Sequence, residues 1–255
     1  MIRRAAAVIA CVLLALSVGG AASAAVPTTL KILAIGDSLN SGYGSPDGCG
    51  YRTELNRLLE APLGANLDAV WTGPQRGGAV VGANDCLTGF RHGATVQNLR
   101  DSINGWMASD NPDVVVIITG TNNAAGTAPG MTGFGAAYRD LVQRIYTAKP
   151  SVKVVVTWIP YSAAPWAGTE VNVNIDIYNW VLAYFPQVIW VNLAQYPTRL
   201  MFDGVHPSDY GPIARLIYAG LATAYGLPPA PNDSYALTPN NCRPGIERAP
   251  TAITC

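Results

Sequence analysis

Gly36-Asp37-Ser38-Leu39 and Asp203-Gly204-Val205-His206 carry the residue types that acyl transfer needs: a hydroxyl, a carboxylate and an imidazole. Only two histidines occur, His92 and His206, so a serine nucleophile has few bases to draw on. A serine hydroxyl attacks poorly at neutral pH and needs a base that removes its proton as the new bond forms. An unperturbed imidazole, ionising at roughly pH 6.5, suits that task, and a carboxylate on its second nitrogen fixes the tautomer. Attack on an ester carbonyl puts negative charge on oxygen, which preorganised donors must meet. Gly93 can present its N–H unobstructed, Asn122 its side-chain amide, and Ser38 its own N–H. The catalytic candidates are therefore Ser38, Asp203 and His206, and the oxyanion-hole candidates are Ser38, Gly93 and Asn122. Chemistry of this kind runs fastest once the imidazole is neutral, at neutral to mildly alkaline pH.

Each residue also has a plainer reading. Serines often cap the turn that follows a strand, and Asp203 ahead of Gly204 suits a simple turn. Gly93 and Asn122 can serve loop geometry alone. His92 and Asp37 read as structural. Joint placement of four segments argues for chemistry: Ser38 follows the first apolar run, Gly93 lies in the loop after the second, Asn122 follows the third, and Asp203 and His206 lie between the fifth and the last helical stretch.

Those runs alternate with helical patterns from Leu30 to about Tyr225. Leu30–Ile35, Ala69–Trp71, Val114–Thr119, Val152–Trp158 and Val188–Leu193 read as strands. Tyr51, Leu55, Leu58 and Leu59 recur at helical spacing, as do Val96, Leu99, Ile103, Trp106 and Met107. Phe134, Tyr138, Leu141, Val142 and Ile145 form another stripe. Asn174–Phe185 reads as a helix interrupted by β-branched residues, and Asp209–Tyr225 as a last helix that Gly226 can end. Such alternation implies right-handed crossovers and a parallel sheet covered on both faces. The expectation is a three-layer α/β/α fold whose five parallel strands take the flavodoxin-like order 2-1-3-4-5. The site of such a sheet gathers at the carboxyl ends of the strands.

The four segments together resemble the blocks of the SGNH (GDSL) hydrolases, in the family's order, across roughly Lys31 to Gly226. The resemblance implies Ser38 as nucleophile, Gly93 and Asn122 as oxyanion donors, His206 as base and Asp203 as its orienting acid. Gly48–Tyr51-Arg52 and Trp71-Thr72-Gly73-Pro74-Gln75 resemble the carbohydrate-esterase branch that includes acetylxylan esterases. The chain departs from the family at Asn123, where aspartate is frequent, and at Asn40, where a small hydroxyl residue is frequent. Trp158, Tyr161 and Trp166, after the fourth strand, are candidates for a wall against a sugar ring, although aromatics at strand ends more often pack.

The expected activity is hydrolysis of acyl, chiefly acetyl, esters of carbohydrate through an acyl-enzyme. Substrates would be acylated small molecules or polysaccharide, turned over without cofactor or metal. Rival readings are a lipase or thioesterase acting on other alcohols, and a non-catalytic carbohydrate-binding relative. The first lacks a long apolar lid segment and the second lacks a missing triad member. Gly-x-Ser-x-Gly does not occur. Gly42-x-Gly44-x-x-x-Gly48 misses the dinucleotide spacing, and no Walker motif exists.

Bulk features agree with work outside the cell. Arg3 and Arg4, the apolar stretch Ala5–Val18 and Ala22-Ser23-Ala24 read as a signal peptide over residues 1–24. The apolar part is short for a span, so no stable membrane insertion is expected. Residues 25–227 form the hydrolase domain, and the Pro-rich tail 228–255 is expected to pack on it. Beyond the signal, Cys49, Cys86, Cys242 and Cys255 suggest two disulfides, with Cys49–Cys86 and Cys242–Cys255 favoured among three connectivities. Sixteen basic and sixteen acidic residues balance, with lysine only at Lys31, Lys149 and Lys153. No basic run could hold a phosphate backbone, so nucleic acid is not an expected partner. A secreted monomer is expected.

Overall fold

The computed structural model describes residues 28–60, 67–76, 87–90, 93–196 and 201–230. The signal segment, His92, Cys86, Cys242, Cys255 and nearly all of the tail lie outside the described residues. Five parallel strands make up the body of the sheet: β1 (Thr29–Gly36), β2 (Asp68–Thr72), β5 (Val114–Ile118), β6 (Lys153–Thr157) and β7 (Ile189–Val191). β2 pairs with β1, β1 with β5, β5 with β6 and β6 with β7, all parallel, which is the expected 2-1-3-4-5 order. Two short strands extend this plan. β4 (Leu87–Phe90) takes over the edge of β1 at Ile35 and Gly36, just past the point where β2 stops. β3 (Gln75–Arg76) then pairs antiparallel with β4, giving seven strands among the described residues.

Successive side chains of a strand point to opposite faces, and β1 shows the result directly. Leu30, Ile32 and Ala34 join one apolar cluster, whereas Leu33 and Ile35 join the other. The first cluster lies beneath α2 (Tyr51–Glu60) and α7 (Gly211–Tyr225). The second lies beneath α3 (Val96–Asp110), α5 (Phe134–Ala148) and α6 (Ala167–Ile177). Every residue of β5 is buried, as a central strand covered on both faces requires.

Most helices fall where the apolar stripes place them, but α6 starts seven residues before the expected Asn174. No side chain caps its first turn, and Gly168 and Thr169 are weak helix formers, so the sequence announces no start there. Its far end widens into a π-type turn over Tyr178–Leu182. Two single-turn helices escape the stripe pattern altogether: α1 (Ser38–Ser41) and α4 (Thr121–Ala124). Both sit at strand ends and carry residues of the site.

Candidate active site

Ser38 is the first residue of α1, directly beyond β1. The chain leaves the strand so close to β5 that a Cβ on Gly36 would lie 1.9 Å from the Ile118 carbonyl oxygen. Only glycine permits that approach. Asp37 then caps α1, its Oδ1 accepting the Leu39 N–H at 3.0 Å. Asp37 is fully buried, and loss of solvent raises its pKa to about 7 even though the amides of Leu39, Thr121 and Gly120 favour its charge. It therefore belongs to the turn that presents Ser38, as its sequence context suggests.

The carbonyl end of α1 rests on a buried cation. Arg52 donates from Nη1 to the Asn40 carbonyl and from Nη2 to the Ser41 carbonyl at 3.0 Å. Carbonyls exposed at a helix end carry partial negative charge, which a guanidinium stabilises. Asn40 extends the network: its Oδ1 accepts from the Tyr51 hydroxyl at 2.8 Å and its Nδ2 donates to Thr88 Oγ1 at 2.9 Å. Thr88 in turn donates to the Ala34 carbonyl at 2.6 Å. A small hydroxyl residue at position 40 could not reach both Tyr51 and Thr88. This network is invisible to spacing arguments, although Tyr51-Arg52 is part of the motif resemblance.

His206 arrives from the other end of the chain. Its Nε2 lies 2.8 Å from Ser38 Oγ, and its Nδ1 lies 2.7 Å from Asp203 Oδ2. The Asp-x-x-His spacing has a local cause. Asp203 Oδ1 accepts the backbone N–H of Val205 at 2.9 Å and of His206 at 2.7 Å, while Oδ2 faces the imidazole. Phe202 N–H closes the turn on the His206 carbonyl at 2.9 Å. Partial burial works against the charge of Asp203, but the donors from His206 and Val205 prevail and hold its pKa below the usual carboxylate value. A second loop braces the turn: the Ala163 N–H donates to the Gly204 carbonyl at 2.7 Å, and the neighbouring Ser162 N–H is held by buried Glu170 at 2.7 Å.

Gly93 is exposed after β4, and Asn122 lies half-buried in α4 after β5. Asn122 Nδ2 donates to the Ala94 carbonyl at 3.0 Å, which ties the two loops together. An amide nitrogen carries two hydrogens, so the second can meet a substrate oxygen. Asn123 fixes this corner from beneath. Its Oδ1 accepts the Val96 N–H at 3.1 Å, and its Nδ2 donates to Gly130 O at 2.6 Å and Gln97 Oε1 at 3.0 Å.

The three aromatic candidates are not equivalent. Trp158 is buried and packs edge-on against Trp190, with ring centroids 5.2 Å apart, so it is core and not a sugar wall. It directly follows β6, a strand covered on both faces, and the indole fills that cover. Tyr161 and Trp166 are half-buried against the same cluster. Tyr43 and Phe202, which sequence reasoning passes over, are the exposed aromatics that touch the imidazole. Phe202 stands immediately before Asp203, and that adjacency was the available signal. Among the described residues no group of three His, Cys, Asp or Glu side chains is arranged to hold a metal ion.

An open parallel sheet with a serine, an imidazole and a carboxylate linked at its carboxyl edge defines a serine carboxylic-ester hydrolase of three-layer α/β/α architecture. The chain belongs to the GDSL-like lipase/acylhydrolase family, whose model matches residues 34–212. Its structure is similar to the family 3 carbohydrate esterase of Clostridium thermocellum, with 30% identity, a TM-score of 0.62 and coverage of 74% of this chain and 94% of that one. A carbohydrate esterase family 3 protein from Talaromyces cellulolyticus shares the fold at 22% identity and a TM-score of 0.58, covering 76% of this chain and 95% of that one. The acetylxylan esterase Axe2 of Geobacillus stearothermophilus does so at 20% identity and a TM-score of 0.53, covering 78% and 95%. None of the curated proteins matches the sequence.

Proposed function

We propose that the protein is an exported esterase that removes acetyl groups from carbohydrate. The observation that carries this reading is the hydrogen-bonded line from Ser38 Oγ through His206 to Asp203, closed between residues 168 positions apart. Ser38 Oγ attacks the ester carbonyl while its proton passes to His206 Nε2. The developing oxyanion is met by the Ser38 and Gly93 amides and by Asn122. The tetrahedral intermediate collapses, His206 returns the proton to the departing alcohol, and the acyl group stays on Ser38. Water, deprotonated by His206, then attacks the acyl-enzyme; the C–Oγ bond breaks, His206 gives that proton to Ser38 Oγ, and the acid is released. Asp203 keeps Nδ1 protonated throughout and stabilises the imidazolium. The carbohydrate esterase from Clostridium thermocellum at 30% identity supports a carbohydrate alcohol, and the Gly48–Arg52 and Trp71–Gln75 motifs support the acetyl group.

Replacing Ser38 by alanine should lower turnover of 4-nitrophenyl acetate and acetylated xylan by on the order of 10⁴- to 10⁶-fold, with an unchanged circular dichroism spectrum. Wild-type rates in that variant would end the reading, and a preference of the wild type for 4-nitrophenyl palmitate would replace it with the lipase alternative. Export rests on Arg3, Arg4, the apolar run and Ala22-Ser23-Ala24. Amino-terminal sequencing of the released protein should then begin at Ala25. Peptide mapping without reductant should link Cys49 to Cys86 and Cys242 to Cys255.

A further inference from the structure

Two exposed rings frame the imidazole. The Tyr43 centroid lies 4.7 Å from that of His206 and the Phe202 centroid 6.0 Å, with Tyr43 and Phe202 stacked at 26° and 6.1 Å. Their exposures are 48% and 52%, so about half of each ring faces solvent. Tyr43 donates its N–H to the Ser38 carbonyl at 3.1 Å, and its own carbonyl accepts from the Tyr210 hydroxyl at 2.8 Å. The Phe202 backbone N–H donates to the His206 carbonyl at 2.9 Å, and its ring lies flush on Gly44, where a Cβ would come within 2.1 Å of Cε1. The pair is therefore a ledge of two stacked rings carried on hydrogen-bonded backbone beside His206.

Its position relative to the reacting atoms assigns its ligand. In ester cleavage the departing alcohol oxygen takes its proton from His206 Nε2, so the alcohol must lie against the imidazole. The carbonyl oxygen must point instead at the oxyanion donors, for which Gly93 and Asn122 are the candidates. Rings that touch the imidazole thus meet the alcohol half of the ester. A half-exposed surface suits a ligand with one apolar face and one wet face. A long alkyl chain gains from complete enclosure, which an open ledge does not provide. A pyranose lays its C–H face on a ring and leaves its hydroxyls in water, using the amphipathic character of aromatic surfaces.

Resting on the esterase reading above, we infer that Tyr43 and Phe202 form the subsite for the sugar ring on the leaving-group side and set selectivity for carbohydrate over simple alcohols. The test compares two acetyl esters that differ only in the alcohol, mono-O-acetyl xylobiose and ethyl acetate. Phe202→Leu keeps apolar bulk on Gly44 but removes the ring face. It should lower the sugar-to-ethyl ratio of kcat/KM by about tenfold, mainly through KM for the sugar ester. Phe202→Tyr should restore the ratio, and Tyr43→Leu should lower it as Phe202→Leu does. An unaltered ratio, or an equal fall on both esters, would reduce the rings to supports for His206 and overturn the ledge while leaving the esterase reading intact. A wild type that hydrolyses neither ester would sink both.

Discussion

Asp203 performs three tasks with one carboxylate: it ties down two backbone amides, orients the imidazole, and supplies the charge that an imidazolium needs. Asp203→Asn keeps an acceptor for the turn but can place the wrong proton on the ring, so kcat for acetyl esters should fall by about 10⁴-fold with little change in KM. A loss of only a few-fold in steady-state assays would deny Asp203 its role. Asp37 makes a different prediction. A carboxyl group whose folded-state pKa is raised from 3.8 to about 7 binds its proton more tightly in the native state. Its contribution is therefore fully present below about pH 4 and is lost as pH climbs to about 7. Relative to Asp37→Asn, which cannot ionise, wild-type stability from urea titrations should decline by up to roughly 4 kcal/mol between pH 4 and pH 8. A constant difference across that range would show that the buried carboxyl group does not titrate as argued. Most of this constellation was legible because serine, histidine and aspartate chemistry leaves few candidates in a chain with two histidines. Tyr43 was not, since an aromatic side chain has no sequence mark that separates a ledge from a core, and Phe202 was marked only by its place beside Asp203.

Elements add what single residues lack, namely fixed angles between loops. Asn123 replaces the frequent aspartate of the family and uses the difference, because an amide can donate where a carboxylate cannot. In Asn123→Asp the Gly130 carbonyl loses its donor and faces a negative charge, while Gln97 can turn its amide to compensate. Destabilisation of about 1–3 kcal/mol is expected from the urea midpoint. Because α4 also carries Asn122, kcat should fall alongside it; an unchanged midpoint and kcat would show that this corner holds itself. The strands that are buried on both faces were readable from unbroken aliphatic runs, and α2, α3, α5 and α7 from their stripes. β3 and β4 were not, since two- and four-residue strands are too short for alternation to register. α1 and α4 escaped for the same reason: a single turn has no period.

At the scale of the molecule, the order 2-1-3-4-5 followed from the alternation of strands and helices, because right-handed crossovers leave few arrangements. That order sets a strong condition on activity. Ser38 hangs from β1, Gly93 from β4, Asn122 from β5, and the Asp203–His206 turn follows β7. The brace on Gly204 comes from the loop after β6. A partly unfolded sheet therefore lacks a contributor to the site, and no fragment of it can retain the full set. Ile117 lies within β5, fully buried and facing the α3–α5–α6 layer. Ile117→Ala should cost about 2–5 kcal/mol through lost contacts and an unfilled cavity. In urea its unfolding midpoint should drop without a change in slope. Loss of ester hydrolysis and loss of helical circular dichroism should move together in both wild type and variant, as a single cooperative transition demands. Hydrolysis that outlasts the helical signal would mean that the site is assembled by a smaller unit than the sheet.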